Sequence, residues 1–119
     1  MMGSNTEHKD KIVHNQNMLT VISNSSSFPD WEIILMFHVA LHCVECHFAQ
    51  QTPPIHNNNH SERNEKIGRY LSNPILRAYL RLYNRAKTAR YTPTSHIQPC
   101  PTQLRTSTQA MTLILNSLS

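Results

Sequence analysis

Three polar side chains form a regular series inside the most apolar stretch of the chain. His38, His42 and Glu45 follow one another at spacings of four and three residues between Asp30 and Gln50. On a helix this spacing places the three side chains on one face. A histidine can move a proton near neutral pH. The spacing therefore predicts one wall of a binding or catalytic site.

Basic residues concentrate between His60 and Tyr91. Eight of the eleven lysines and arginines lie in that segment, against two glutamates. Arg77, Arg81 and Arg85 recur every fourth residue, so on a helix they form a ridge whose repulsion costs roughly a few tenths of a kcal/mol per pair. Such a concentration favours a phosphate-bearing or acidic partner, and a solvated basic face is the alternative.

The segments that must hold these residues are typical of helices. The chain has two glycines in 119 residues and no useful segment of strand period, which predicts an all-α bundle. Helices are expected at residues 5–23, 31–50, 59–71 and 74–91. We expect residues 1–92 to form the bundle core and residues 93–119 to form a proline-containing linker and a C-terminal helix or tail.

Helix starts and aromatic residues allow finer predictions. Asp30 and Asn73 are expected to be N-caps, and Asn59 with Glu62 resembles a capping box. Six aromatic residues are expected in the core: Trp31, Phe37, Phe48, Tyr70, Tyr79 and Tyr83. An exposed Tyr83 or Tyr91 beside the basic ridge would instead offer a surface on which bases could stack.

The cysteines and the apolar stretch bear on metals and location. Cys43 and Cys46 lie beside histidines, but a closed zinc site needs ligands returning from another segment, and buried thiols explain both residues. We expect no metal and no cofactor. Three cysteines and an N-terminus without an apolar signal core indicate a cytoplasmic protein. The stretch Trp31–Ala49 approaches membrane-span length, but its charged and histidine residues favour a buried soluble helix and no membrane contact.

Four short segments, taken in order, resemble the HEPN-like superfamily (higher eukaryotes and prokaryotes nucleotide-binding), in particular a small prokaryotic or phage branch. The segments are Phe28–Trp31, Phe37–Glu45, His60–Arg63 and Asn84–Tyr91. The resemblance covers roughly residues 7–92, and the order and spacing of the motifs carry it. It implies an up-and-down bundle of four or five helices that forms a homodimer. It also implies RNA or a nucleotide as ligand, and in many relatives an antitoxin-like protein partner or a role in defence.

Many relatives are metal-independent ribonucleases that carry an arginine, a polar residue and, after a short gap, a histidine on the last core helix. Arg85 matches the arginine, but Ala86 follows it and Arg90 stands where the histidine is expected. Arg90 and His96 form a second match, but the segment between them contains Pro93, so the two side chains need not share a helix face. An arginine stays protonated and cannot act as a base, so His42 or His60 would have to move the proton.

The resemblance and the chemistry together name two sets of candidate residues. The candidate catalytic residues are His42, Glu45, His60 and Arg85. The candidate nucleic-acid-binding residues are Arg63, Arg77, Arg81, Arg85, Arg90 and Tyr91. His42 and Glu45 are then expected to face His60, Arg63 and Arg85 across the bundle or a dimer cleft. A catalytically inactive bundle that pairs with an acidic protein is the alternative, with these polar groups serving helix packing.

Overall fold

Five α-helices make up the fold in the computed structural model, which describes residues 5–91 and 98–118. They are α1 (Asn5–Ser25), α2 (Pro29–Ala49), α3 (His60–Tyr70), α4 (Asn73–Tyr91) and α5 (Pro101–Leu118). No strand occurs within these described ranges. The predicted all-α class is therefore confirmed.

Helix α2 is the central element of the bundle. It packs against α1, α4 and α5, while α3 packs against α4. Apolar residues surround α2 on nearly every side, and a helix of that kind is stable when other helices cover it. Its length and composition alone would also allow α2 to cross a membrane, a test that core helices pass too. In the bundle, 72% of its most apolar window is buried.

The core aromatic residues cluster where α2 meets α4. Phe37 and Tyr79 are fully buried, with ring centroids 5.6 Å apart, and Tyr83 is half-buried 5.8 Å from the Phe37 ring. Tilted rings at such distances add favourable electrostatics to the burial of apolar surface. The core prediction is wrong for Trp31 and Tyr70, which are 51% and 55% exposed. Both residues stand near helix ends, where neighbouring helices give less cover.

The start of α3 forms the predicted capping box. The Glu62 backbone N–H donates to the Asn59 side-chain oxygen over 2.8 Å, and the Asn59 amide donates back to the Glu62 carboxylate over 3.4 Å. The first bond satisfies a backbone N–H that the first turn of a helix leaves unpaired, and the Glu62 carboxylate also accepts from the Asn58 backbone N–H over 3.2 Å. They fix where α3 begins, and so fix the positions of His60 and Arg63 in its first turn.

The predicted caps of α2 and α4 are wrong by one or two residues. Helix α2 begins at Pro29, with Phe28 at the N-cap and no side-chain cap bond, and Asp30 lies in the first turn. Proline suits that place because its missing N–H would be unpaired there anyway. Asn73 is already helical, and the first backbone bond of α4 runs to the Ser72 carbonyl.

The C-terminal segment ends in a packed helix. Helix α5 lies against α2 and α4, and it contributes Ala110, Met111 and Ile114 to the core. The open alternative between a helix and a frayed tail is thus resolved as a helix. Most of the predicted linker, with Pro93 and His96, lies outside the described residues.

Candidate nucleic-acid interface

The polar side chains of α2 (His38, His42 and Glu45) do not all meet the same neighbouring helix. His42 meets α1, where its Nδ1 lies 2.9 Å from the Nδ1 of His8. Glu45 meets α3, where its carboxylate binds Arg63. His38 is half-buried beside Phe37, with ring centroids 5.6 Å apart. The three side chains thus face the protein, but they do not share one partner.

Glu45 forms a buried ion pair with Arg63. The Arg63 Nε donates to Glu45 Oε1 over 2.5 Å, and the side chains of the two residues are 5% and 1% exposed. The Asn57 amide donates to the same oxygen over 3.1 Å. Breaking a buried pair of this kind by removing one partner typically costs about 3–5 kcal/mol. The pair therefore holds α3 and the preceding loop to α2, and Glu45 is shielded from any ligand.

The guanidinium of Arg63 also reaches His60, one helical turn earlier. Its Nη1 lies 2.9 Å from the His60 Nδ1. The His60 ring packs 5.3 Å from the Tyr83 ring and 6.0 Å from the Phe37 ring. His60 is thus held from three sides, with one ring edge anchored to an ion pair in the core.

A group of cationic and aromatic side chains surrounds His60 at the surface. We call it the α3–α4 basic surface, and it consists of His38, His60, Tyr83, Lys87, Arg90 and Tyr91. Lys87 Nζ lies 5.1 Å from the centre of the Tyr83 ring, and the Arg90 guanidinium lies 5.5 Å from the centre of the Tyr91 ring. Lys87, Arg90 and Tyr91 are exposed. Neither ion pair found between described residues involves Lys87 or Arg90, so both charges are available to an anion.

Burial and these cations keep the histidines of the surface neutral. Burial first, then Arg90 and His60, lowers the pKa of His38. The pKa of His60 is lowered by burial and by the charges of Arg63, Arg90 and Lys87. At neutral pH the fixed positive charge of the surface therefore comes from Lys87 and Arg90, while the imidazoles act as hydrogen-bonding groups.

His42 is the most strongly affected histidine, and it lies apart from this surface. Burial, followed by His8, His38, Lys11 and Arg63, lowers its pKa to about 4. A neutral imidazole at neutral pH meets one requirement of a general base. Its Nδ1, however, already shares a hydrogen bond with His8.

Arg85 lies on the opposite flank of α4 from Lys87. The two residues are about 200° apart around a helix of 3.6 residues per turn. Arg85 Nη1 donates to the Gln103 backbone oxygen over 3.2 Å and to the hydroxyls of Thr106 and Ser107 over 2.8 Å each. The expectation that Arg85 faces His42 and Glu45 beside His60 and Arg63 is not met, because its guanidinium is used to hold α5.

The remaining candidates fall on both flanks. Arg77 and Arg81 are exposed, two turns and one turn before Arg85, and Arg81 lies about 40° from Arg85 around the helix. Arg90 and Tyr91 belong to the α3–α4 basic surface. Burial, and next the charge of Arg81, lowers the pKa of Arg85. The basic residues of α4 thus do not share one flank of the helix.

Cys43 and Cys46 are buried. Among residues 5–91 and 98–118, no group of three or more His, Cys, Asp or Glu side chains could hold a metal ion. The two cysteines line a cleft of about 280 Å³ with four other residues: Lys9, Ile12, Gln50 and Leu118. The six residues around this cleft include none from the α3–α4 basic surface.

Sequence reasoning missed Lys87 and Asn57. Lys87 lies four residues after Tyr83 and three before Arg90, so a helical projection of α4 could have grouped these three on one flank. Asn57 stands in the loop before α3, where no periodicity applies. Its bond to Glu45 follows only from the path of the folded loop.

Comparison with protein-family models, with curated proteins and with solved structures finds no match to this chain.

Proposed function

We propose that this chain binds single-stranded RNA through the α3–α4 basic surface. The observation that carries the proposal is the exposed Tyr91 ring, 76% accessible, next to two exposed cations that enter no ion pair among the described residues. Lys87 and Arg90 would bind backbone phosphates, and a base would stack on Tyr91. Cations alternating with exposed aromatic rings are typical of proteins that bind single strands.

A single strand fits this surface better than a duplex. Only an unpaired, unstacked base can place its face on a tyrosine ring. RNA is favoured over an acidic protein for the same reason, since a carboxylate surface would use the cations but leave the Tyr91 face without a role.

As part of this proposal we place the chain among HEPN-like up-and-down bundles. The five-helix, all-α architecture and the ordered motifs of the sequence support that placement. A homodimer in the cytoplasm and an antitoxin-like partner follow from the same placement. Light scattering of the purified protein tests the dimer directly, with a monomer at high concentration counting against it.

Metal-independent RNA cleavage is a second candidate function. His38 favours it, because the half-buried imidazole is neutral and its pKa is lowered by burial and by the charge of Arg90, so a base and a phosphate-binding cation occur on one surface. Cleavage of RNA in the presence of a chelator, lost in His38→Ala, would support it. Intact RNA at high protein concentration would contradict cleavage, and RNA binding would remain as the proposed function.

Replacing Tyr91 tests the proposed binding. Loss of one stacked base costs about 1–3 kcal/mol, so Tyr91→Ala should weaken binding of a labelled single-stranded RNA roughly 5- to 150-fold. Tyr70→Ala is the matched control, because Tyr70 is also exposed beside an arginine, Arg69, with 5.8 Å from guanidinium to ring centre. The control should bind like wild type.

Two results would count against the proposal. One is an RNA affinity that Tyr91→Ala leaves unchanged. The other is tighter binding of an acidic polypeptide such as polyglutamate than of RNA, which would favour the alternative of a bundle that pairs with an acidic protein.

A further inference from the structure

A continuous chain of hydrogen bonds leads from the core to the α3–α4 basic surface. Asn57 and Arg63 both donate to Glu45 Oε1, over 3.1 and 2.5 Å. Arg63 then contacts the Nδ1 of His60 over 2.9 Å. Glu45, Asn57 and Arg63 are all buried, so this chain is fixed by packing. His60 is the member of the chain that reaches the surface.

The chemistry of arginine determines the state of His60. A guanidinium has five N–H donors and no acceptor, and it stays protonated. The Nδ1 of His60 must therefore accept the hydrogen bond from Arg63. In a neutral imidazole the proton then resides on Nε2. Protonating Nδ1 would set an N–H against an N–H and break the link to Arg63.

We propose that Glu45 and Arg63 are positioning residues that hold His60 as the neutral Nε2–H tautomer, so that His60 donates a hydrogen bond to a phosphate oxygen of the bound RNA. The ligand in this inference rests on the proposed function, whereas the tautomer does not. His60 is then a donor with a fixed direction, and its Nε2 has no lone pair to take a proton from a 2′-hydroxyl.

The groups that face His60 favour the same state. Lys87, Arg90 and Tyr83 approach from α4, and His38 and Phe37 approach from α2. Arg63 approaches from the next turn of α3 itself, and the carboxylate of Glu45 is bound to that arginine. The charged neighbours of the ring are thus cations, and they oppose the positive charge that protonation would place on His60.

The ring nitrogens of His60 can be measured directly by ¹⁵N NMR of the wild-type protein without RNA. We expect Nδ1 to have the shift of an unprotonated nitrogen and Nε2 that of a protonated one at about pH 8, above the ordinary pKa of an imidazole. Averaged shifts, or a proton on Nδ1, would overturn the proposal. This measurement needs no variant and does not depend on RNA binding.

The double variant Glu45→Gln with Arg63→Met removes the hydrogen bonds that link Glu45 through Arg63 to His60, without leaving a buried charge. Its glutamine can still bond to Asn57. In this variant the His60 shifts should become those of exchanging tautomers. Retention of the single Nε2–H tautomer would show that Glu45 and Arg63 do not determine the tautomer of His60.

Two substitutions of His60 then test its role toward RNA. His60→Gln keeps an N–H donor and should bind RNA within about threefold of wild type, whereas His60→Ala should bind roughly tenfold or more weakly. Equal losses in both variants would contradict a donor role. If the tautomer is as expected but the wild-type protein binds no RNA, the positioning role of Glu45 and Arg63 is supported and the proposed function fails.

Discussion

At the scale of single residues, the histidines of one helix differ because their neighbours differ. His42 contacts His8 on α1, whereas the charge of Arg90 on α4 acts on His38. The sequence could place both histidines and Glu45 on one face of α2, since that depends only on helical periodicity. It could not show that the face divides between α1 and α3, because the packing of other helices decides which neighbour each turn meets.

The low pKa of His42 makes the stability of the fold depend on pH. Between its folded value of about 4 and an unfolded value of about 6.5, the unfolded chain binds a proton that the folded chain does not. The free energy of unfolding must therefore fall as the pH falls through this window. Because the ring is only half-buried, we expect a loss of about 1–2 kcal/mol.

Urea denaturation at about pH 7 and pH 4.5 measures this loss. His42→Gln should make the free energy of unfolding depend less on pH. His14→Gln, at an exposed position on α1, is the control and should keep the wild-type dependence. The same pH dependence in wild type and His42→Gln would show that His42 is not the group responsible.

At the scale of secondary-structure elements, α4 carries two basic flanks with different tasks. One flank presents Lys87 and Arg90 beside α3, and the other uses Arg85 to hold α5. The capping box of α3 could be predicted because its residues are neighbours in the sequence. The task of Arg85 could not, because its partners lie in α5, 18 to 22 residues later in the chain.

Arg85→Ala should therefore destabilise the protein and leave RNA binding nearly unchanged. The substitution leaves the buried Ser107 hydroxyl without its donor, and we expect a loss of about 1–3 kcal/mol in the free energy of unfolding. Arg81→Ala, at an exposed site one turn earlier, should change stability by about 0.5 kcal/mol or less. Chemical denaturation of both variants measures the difference. A catalytic role for Arg85 would show itself differently, as RNA cleavage lost at unchanged stability.

At the scale of the whole molecule, the bundle buries an apolar central helix and leaves most of its positive charge on α3 and α4. The composition allowed the all-α class and the basic region to be predicted. One flank of α4 has exposed cations beside an exposed ring, and the other flank holds α5. This division depends on the packing of all five helices. Only the first flank combines free charge, aromatic surface and fixed donors.

The central claim is that the α3–α4 basic surface, and not positive charge in general, binds RNA. Two double variants that remove the same charge from different parts of α4 test it most directly. They are Lys87→Ala with Arg90→Ala and Arg77→Ala with Arg81→Ala. The affinity for a labelled single-stranded RNA is measured for each across a range of salt concentrations.

We expect the first double variant to bind roughly 10- to 30-fold more weakly at about 0.1 M salt, with the salt slope reduced by about 1.4, as for two lost phosphate contacts. The second should stay within about threefold of wild type. Equal losses in the two variants, or a larger loss in the second, would contradict the assignment of RNA binding to this surface.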